Sequence, residues 1–373
     1  MKNKNKVIMR DKVIAISFLA IVFGLFFANL FHPDQALSYS ERRRLAQMPE
    51  PSVKTIFDGE YFQAFDKYTT DQFIGREMFR GIKTFVDRNV LLKRDTNGLF
   101  QALGGIFSIE YPMREDKVAR MCERLNALYD KYLVGMNVYY SIIPDKNYYL
   151  PEGGLYLLMD YEKMVALMNR DMPEKAQYID MFDVLELDDY YQSDGHWRQE
   201  NLKPVVDKLN EAMGLPLIFD AEQYEHRRYA PFYGAYYGQL VGMAKPDTII
   251  WLENEVTRDA VVTSLSHPDK NDLPLYNEEG LGGMDSYDVF LYGAQPLIII
   301  DNPHNTSGRE LILVRDSFGS ALAPLLLDGY SRITVVDLRY ITQELLQNYI
   351  SFDDQDVLLM FSTTIINNSD MIR

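Results

Sequence analysis

Cysteine is almost missing from this chain. Cys122 is the only one in 373 residues, so no intrachain disulfide and no thiolate metal cluster can form. Histidine is sparse as well: beside His196, only His32, His226, His267 and His304 occur, and these four show no ligand spacing, so no metal site is expected. The chain also lacks a surplus of positive charge, with 38 Lys and Arg against 54 Asp and Glu and a formal net charge of -16. The local cationic excess sits at Lys2, Lys4, Lys6, Arg10 and Lys12, opposed only by Asp11. Without that segment 33 basic and 53 acidic residues remain, a net of −20, which argues against a nucleic-acid partner. Internal repeats and low-complexity segments are absent, and nothing in the sequence calls for a cofactor.

What is present is apolar material. A hydrophobic content of 47% suffices for a sizeable core, and 26 Tyr and 20 Phe supply rings for core, sheet surface or carbohydrate stacking. Val13–Phe31 carries no charge over 19 residues, about the length needed to cross a ~30 Å hydrocarbon layer, and it comes directly after the basic segment. This predicts a cytoplasmic tail over 1–12 and a transmembrane signal anchor over 13–31. Ala36-Leu37-Ser38 offers a small-x-small cleavage site, but the apolar run exceeds the ~7–15 residues usual in a cleaved signal, so an uncleaved anchor is favoured. Arg42, Arg43, Arg44 and Lys54 on the far side blur the orientation that basic residues would otherwise set.

Beyond the anchor, 32–110 reads as a helical segment, with Phe62, Phe65, Phe73, Phe79, Ile82 and Phe85 at three- and four-residue steps and turns at Asn97-Gly98 and Gly104-Gly105. The remainder, 111–373, alternates strand and helix. Helices are expected at Glu115–Leu133, about Tyr161–Asn169, and Arg198–Met213, with strands at Asn137–Ile143 and near Tyr178–Val184, the alternation of a parallel α/β sheet. From about 219 to 303 the Gly- and Tyr-rich texture predicts antiparallel strands and long loops inserted on one edge of that sheet. Arg332–Leu338 and Asp356–Phe361 are further buried strands, with a helix near Ile341–Ile350 between them.

Leu311–Leu327 joins an apolar strand to a helical run that stops at Asp328-Gly329, and Ser317 stands at the junction. A hydroxyl there suits a nucleophile, since the first N–H groups of the adjoining helix would face a developing oxyanion. It equally suits a helix cap, the commoner use of serine at such a turn. Upstream, Asp194 and His196 are separated by one residue. In an extended segment residues i and i+2 share a face about 6.6 Å apart, so the carboxylate would orient the imidazole and leave its other nitrogen free as a base. The competing reading makes Asp194-Gly195 a turn and His196 a surface residue, with Trp197 a core anchor. Weaker candidates are Gly293 and Gln295, whose N–H or amide would face an oxyanion, and Arg315 and Lys146. Arg315 would bind an anionic sugar or, more simply, pair with Asp316; Lys146, after Pro144-Asp145, would line the cleft.

The segments YYQSDGHW, DVFLYG and LILVRDSFGSALAPLL, in that order, resemble the bacterial DHHW protein family, whose site logic is similar to that of the SGNH-type alginate O-acetyltransferase proteins. The resemblance extends to SERRRLAQMPEPS, DGEYFQAFDKYTTDQFIGRE and YSRITVVDLRYI, so it covers nearly the whole chain. Asp-x-His precedes Asp-Ser, the permuted order of the acetyltransferase relatives. The family's first motif histidine is replaced by Gly195. The resemblance implies an SGNH-like three-layer α/β fold and a Ser317, His196, Asp194 triad. It also implies O-acyl transfer or hydrolysis, most simply of acetyl, on a cell-surface polysaccharide outside the cytoplasm, with a polytopic membrane O-acyltransferase as acyl donor. The alternative is a non-catalytic glycan-binding or exopolysaccharide assembly protein that keeps the fold.

Overall fold

A computed structural model describes residues 2–151, 153–154, 156–215, 220–270 and 272–373, without the side chains of 2–8 and 221. The side chains of Lys2, Lys4 and Lys6 in the basic tail, and position 219 where the insertion is expected to begin, therefore lie outside the described residues. The chain divides into two compact units, Met1–Arg94 and Asp95–Arg373.

The first unit is helical, as its periodicity predicts. Helix α1 (Lys2–Leu30) contains Met9–Leu30, long and apolar enough to cross a membrane, with a mean hydropathy of 2.5. A signal sequence has the same character. After a small ladder of β1 (Leu37–Ser38) with β2 (Arg43–Arg44) come α2 (Val53–Phe57), α3 (Glu60–Asp71) and α4 (Arg76–Asn89).

The second unit begins at Asp95, earlier than the expected 111, because residues 95–110 are bonded into the α/β unit: the Ile106 N–H donates to the Gln192 carbonyl at 2.8 Å. Asn97 and Gly98 take left-handed backbone conformations (φ 53° and 76°) in the turn that leads into the hairpin β3 (Leu99–Ala102) and β4 (Gly105–Ser108). Phe100 and Phe107 from that hairpin are buried with Leu150. Helix α5 (Glu115–Leu128) runs into one wide turn to Leu133, and then come β5 (Asn137–Ile143), α6 (Tyr161–Asp171) and β6 (Gln177–Tyr178). Strand β6 is shorter than expected because the Asp180 carboxylate accepts the Phe182 N–H at 2.9 Å and turns the chain away. Helix α7 (Lys203–Ala212) starts late, after a short 3-10 turn, with Pro204 in its first turn where a missing N–H costs nothing.

The Gly- and Tyr-rich region forms an antiparallel hairpin, β7 (Glu225–Phe232) with β8 (Asp247–Glu253), then α8 (Glu255–Asp259), β9 (Val261–Ser264) and β10 (Leu297–Asp301). Strands β11 (Glu310–Arg315) and β12 (Arg332–Val336) flank α9 (Phe318–Leu322), and α10 (Gln343–Leu346) leads to β13 (Asp356–Ser362). The central sheet has the order β6-β5-β13-β11-β12-β10-β9, parallel through β12, with β10 and β9 added antiparallel on one edge. The inserted region thus supplies the sheet's own edge strands as well as a separate hairpin.

Period-two alternation sorts each central strand onto two cores. In β11, Leu311 and Leu313 face the side covered by α7 and α9, while Ile312 and Val314 face α5 and α6. Helices therefore cover both faces, giving a three-layer α/β fold. The arrangement has a consequence for chemistry: β5, β13 and β11 are parallel neighbours, so their carboxyl ends deliver Asp145-Lys146, Thr363-Thr364 and Asp316-Ser317 to one edge.

Candidate active site

Strand β11 ends at Arg315, and the turn into α9 is built by the Asp316 carboxylate. Its Oδ1 accepts the Phe318 N–H at 3.0 Å and its Oδ2 accepts the Ser362 N–H at 2.7 Å, fixing the turn to the end of β13. Ser317 occupies the N-cap position, yet its side chain makes no capping bond. Instead Ser317 Oγ lies 2.7 Å from His196 Nε2.

His196 Nδ1 in turn lies 2.6 Å from Asp194 Oδ1. A carboxylate can only accept, so Nδ1 carries the proton and Nε2 is left to accept from the serine hydroxyl. The sequence therefore named three side chains that meet, although not through an extended segment. Asp194-Gly195 is a bend in which Asp194 Oδ1 also accepts the His196 N–H at 2.9 Å, so the turn and the Asp–His contact are one structure. Asp194 is fully buried and its Oδ2 accepts the Ala235 N–H at 2.7 Å. The imidazole stacks on Tyr287 at 4.1 Å and 15°, while burial pushes that phenol's pKa far up and keeps it neutral. Trp197 is the core anchor expected of it, and its Nε1–H donates to the Phe318 carbonyl at 3.0 Å, linking the histidine turn to the serine turn.

Lys146 reaches the cleft as expected, in a stronger position than its sequence context suggests. Its ammonium is buried and donates to the carbonyls of Tyr191 (3.0 Å), Gln192 (3.3 Å) and Asp194 (2.7 Å). Burial pulls its pKa down to about 7, against the pull of Asp194, Asp247 and Asp145 in the other direction. Burial likewise raises the neighbouring Asp145 to about 6, although Thr363 and Tyr161 donate hydroxyls to it.

Three supports were not legible in the sequence. Asp247, on β8, accepts the N–H groups of Gln192 (2.9 Å) and Ser193 (2.8 Å), the Ser193 hydroxyl (2.6 Å) and Arg198 Nη2 (3.1 Å), so one carboxylate holds the approach to Asp194. Gly234 lies so close that a Cβ there would collide with the Ser193 carbonyl and stand 2.5 Å from Asp194 Cβ. A Cβ on Gly195 would stand 2.5 Å from the Tyr236 hydroxyl, so Tyr236 fills the space that a side chain at 195 would take.

Other candidates fall elsewhere. Arg315 is fully buried and pairs with Asp337 (3.3 Å) rather than with the side chain of Asp316; it also donates to the Asp316 and Gly293 carbonyls, so it is a core ion pair and not a sugar ligand. Gly293 lies on that far side of Arg315. Gln295 accepts from the Ser264 hydroxyl (2.9 Å) and donates to the Tyr292 carbonyl (3.0 Å), so its amide is engaged at the sheet edge and neither residue lines the cleft. The helix N–H groups expected to face an oxyanion are engaged too: Phe318 donates to the Asp316 carboxylate and Gly319 to its carbonyl. His304, which shows no ligand spacing in sequence, lies 2.8 Å from Asp259 with Glu255 close by, an exposed cluster on the surface.

The triad opens onto a cleft of about 160 Å³ whose walls include Lys146, Asn147, Tyr236, Ser108, Glu110 and Thr364. The fold around it is shared with solved structures. A DHHW family protein from Eubacterium siraeum superposes with a TM-score of 0.62 at 21% identity, covering 74% of this chain and 94% of that one. Bacillus cereus PatB1, determined with a sulfonyl adduct, gives 0.56 at 14% identity over 72% and 97%. The O-acetyltransferase domain of Pseudomonas putida AlgJ gives 0.44 at 13% identity over 72% and 92%. No family model and no curated protein matches the chain. The resemblance to the DHHW fold is thus shown by structure.

Proposed function

We propose that this protein is a serine acyltransferase or esterase that acts on acetyl groups of a cell-surface polysaccharide, held at the membrane by α1 with its second unit outside the cytoplasm. The observation that carries the reading is the unbroken hydrogen-bond chain from Asp194 through His196 to Ser317, at 2.6 and 2.7 Å. A helix-capping serine or a surface histidine would not need the buried carboxylate behind it.

In the proposed reaction Ser317 Oγ attacks the acyl carbonyl while its proton passes to His196 Nε2, and Asp194 stabilises the imidazolium. Collapse of the tetrahedral intermediate expels the donor's alcohol or thiol, which takes the proton from His196. An acceptor hydroxyl then loses its proton to His196 and attacks the Ser317 ester, regenerating the serine. A sugar hydroxyl as acceptor makes the protein a transferase, and water makes it an esterase. With the α9 N–H groups engaged by Asp316, the main-chain N–H of Ser317 is the candidate oxyanion donor. The sugar acceptor and a polytopic membrane O-acyltransferase as acyl source are supported by the family resemblance of the sequence motifs.

A sulfonyl fluoride tests the nucleophile directly, and the PatB1 structure with its sulfonyl adduct makes the reagent a natural choice. The expected result is one sulfonyl group on Ser317 in the wild type, strongly slowed in His196→Ala and absent in Ser317→Ala. Equal labelling of wild type and His196→Ala would remove the histidine from the mechanism.

A further inference from the structure

Helices α2–α4 of the first unit carry their apolar faces outward. In α4 the buried residues are Thr84 and Asp87, whereas Phe79, Ile82 and Phe85 are 44%, 51% and 58% exposed. Phe57 at the end of α2 is 88% exposed and Phe62 in α3 is 60% exposed. The polar faces point inward and are consumed by ion pairs: Arg76 with Glu41 (2.5 Å), Arg80 with Glu41 (3.4 Å) and Arg43 with Asp71 (2.6 Å). A helix packed this way in water leaves its hydrophobic stripe unsatisfied, the reverse of the usual amphipathic arrangement.

The same unit ties these helices to the end of the apolar span. The Ile74 N–H, in the turn between α3 and α4, donates to Asn29 Oδ1 at 2.8 Å, Gln72 Nε2 donates to the Gln35 carbonyl at 2.9 Å, and the Tyr68 hydroxyl donates to Asp34 at 3.1 Å. Charge separates the two units as well. Beyond the basic tail at the other end of α1, residues 13–94 hold 11 basic and 9 acidic residues, a net of +2, while 95–373 hold 22 and 44, a net of −22. Phenylalanine-rich faces beside basic side chains, joined to the end of a membrane-length helix, have the chemistry of the headgroup layer of an anionic bilayer.

We propose that α2–α4 lie in the headgroup layer of an anionic bilayer with their outward phenylalanines toward the acyl chains, as a second membrane contact beside α1. The inference rests on α1 remaining in the membrane, and the experiment separates the two. Nitroxide labels are placed one at a time on the full-length chain through Phe62→Cys, Phe85→Cys, Phe18→Cys in α1 and Tyr349→Cys in the second unit, with the buried Cys122 left in place. The chains are reconstituted in nanodiscs containing phosphatidylglycerol, and each label's accessibility to oxygen and to a water-soluble nickel chelate is compared. Labels at 62 and 85 are expected to favour oxygen, as at 18, while 349 favours the chelate. Should 18 lie in lipid but 62 and 85 favour the chelate, the docking is overturned and the anchor stands; those faces would then be left to a protein partner. Should 18 also favour the chelate, anchor and docking both fall. Quenching by brominated lipids of a tryptophan introduced by Phe85→Trp gives an independent reading, because Trp197 and Trp251 are buried; its absence counts against the docking.

Discussion

At the scale of single residues, the site is defined by who donates to whom. Asp194 accepts from His196 and so leaves Nε2 able to accept from Ser317. Replacing Asp194 by Asn allows the wrong imidazole tautomer, and turnover of an acetyl ester should fall by roughly 10⁴-fold with the fold intact. Ser317→Ala should cost on the order of 10⁶-fold. Both are read from steady-state rates beside an unchanged circular dichroism spectrum. Lys146 gives a prediction in pH. Its folded pKa, about 7, lies below the ordinary value of 10.5, so between these limits the unfolded chain binds more protons and stability rises with pH; below about 7 the cost of burying the charge is fully present. Melting temperatures of wild type and Lys146→Met from pH 6.5 to 9 test this. The wild type should gain on the variant as pH rises, and parallel curves would contradict it. Lys146, Asp194, His196 and Ser317 were legible because strand ends and short spacings are local signals. Arg315 was misread in its partner, since Asp337 lies 22 residues away and Asp316 next door.

At the scale of elements, the turns that carry the triad are held by chain segments remote in sequence. The Asp247 carboxylate on β8 secures Gln192 and Ser193, and the loop at Gly234–Ala235 closes on Asp194. Gly234→Ala would drive a Cβ into the Ser193 carbonyl, where backbone must move. The expected loss is about 1–3 kcal/mol of stability, read by denaturant unfolding, with activity falling further than stability because Asp194 shifts. An unchanged rate would show that the loop does not position the carboxylate. Asp247 and Gly234 could not be found from sequence, since nothing near them marks a partner 41 to 55 positions back. Strand β5, the β11 turn and helix α6 could be, because each has its own periodicity and stop signal. Gly293 and Gln295 were misplaced for a topological reason. Antiparallel β10 starts beside the end of β12, with Leu297 opposite Val336, so the loop before it reaches the same edge. But β12 stands between β10 and β11, and the loop is engaged by Arg315 and Ser264 instead of facing Ser317.

At the scale of the molecule, the sheet explains why residues 145–146, 194–196, 316–317 and 363–364 form one cleft. Parallel order β5-β13-β11 places three strand ends side by side, and Trp197 ties the histidine turn to them through the Phe318 carbonyl. That bond predicts that Trp197→Phe, which removes the buried hydrogen bond between the two turns, costs about 0.5–1.5 kcal/mol and lowers the acylation rate. Calorimetry and stopped-flow kinetics on the same preparation would show it, whereas a variant equal to wild type in both would mean the bond is dispensable. The most direct test of the triad is to trap the acyl-enzyme. The full-length protein is mixed with an activated acetyl donor, quenched in acid, and its peptides are weighed. One acetyl group is predicted on Ser317 in the wild type and none there in His196→Ala. Correctly folded wild type that turns over no acetyl donor and never carries acetyl on Ser317 would contradict the assignment.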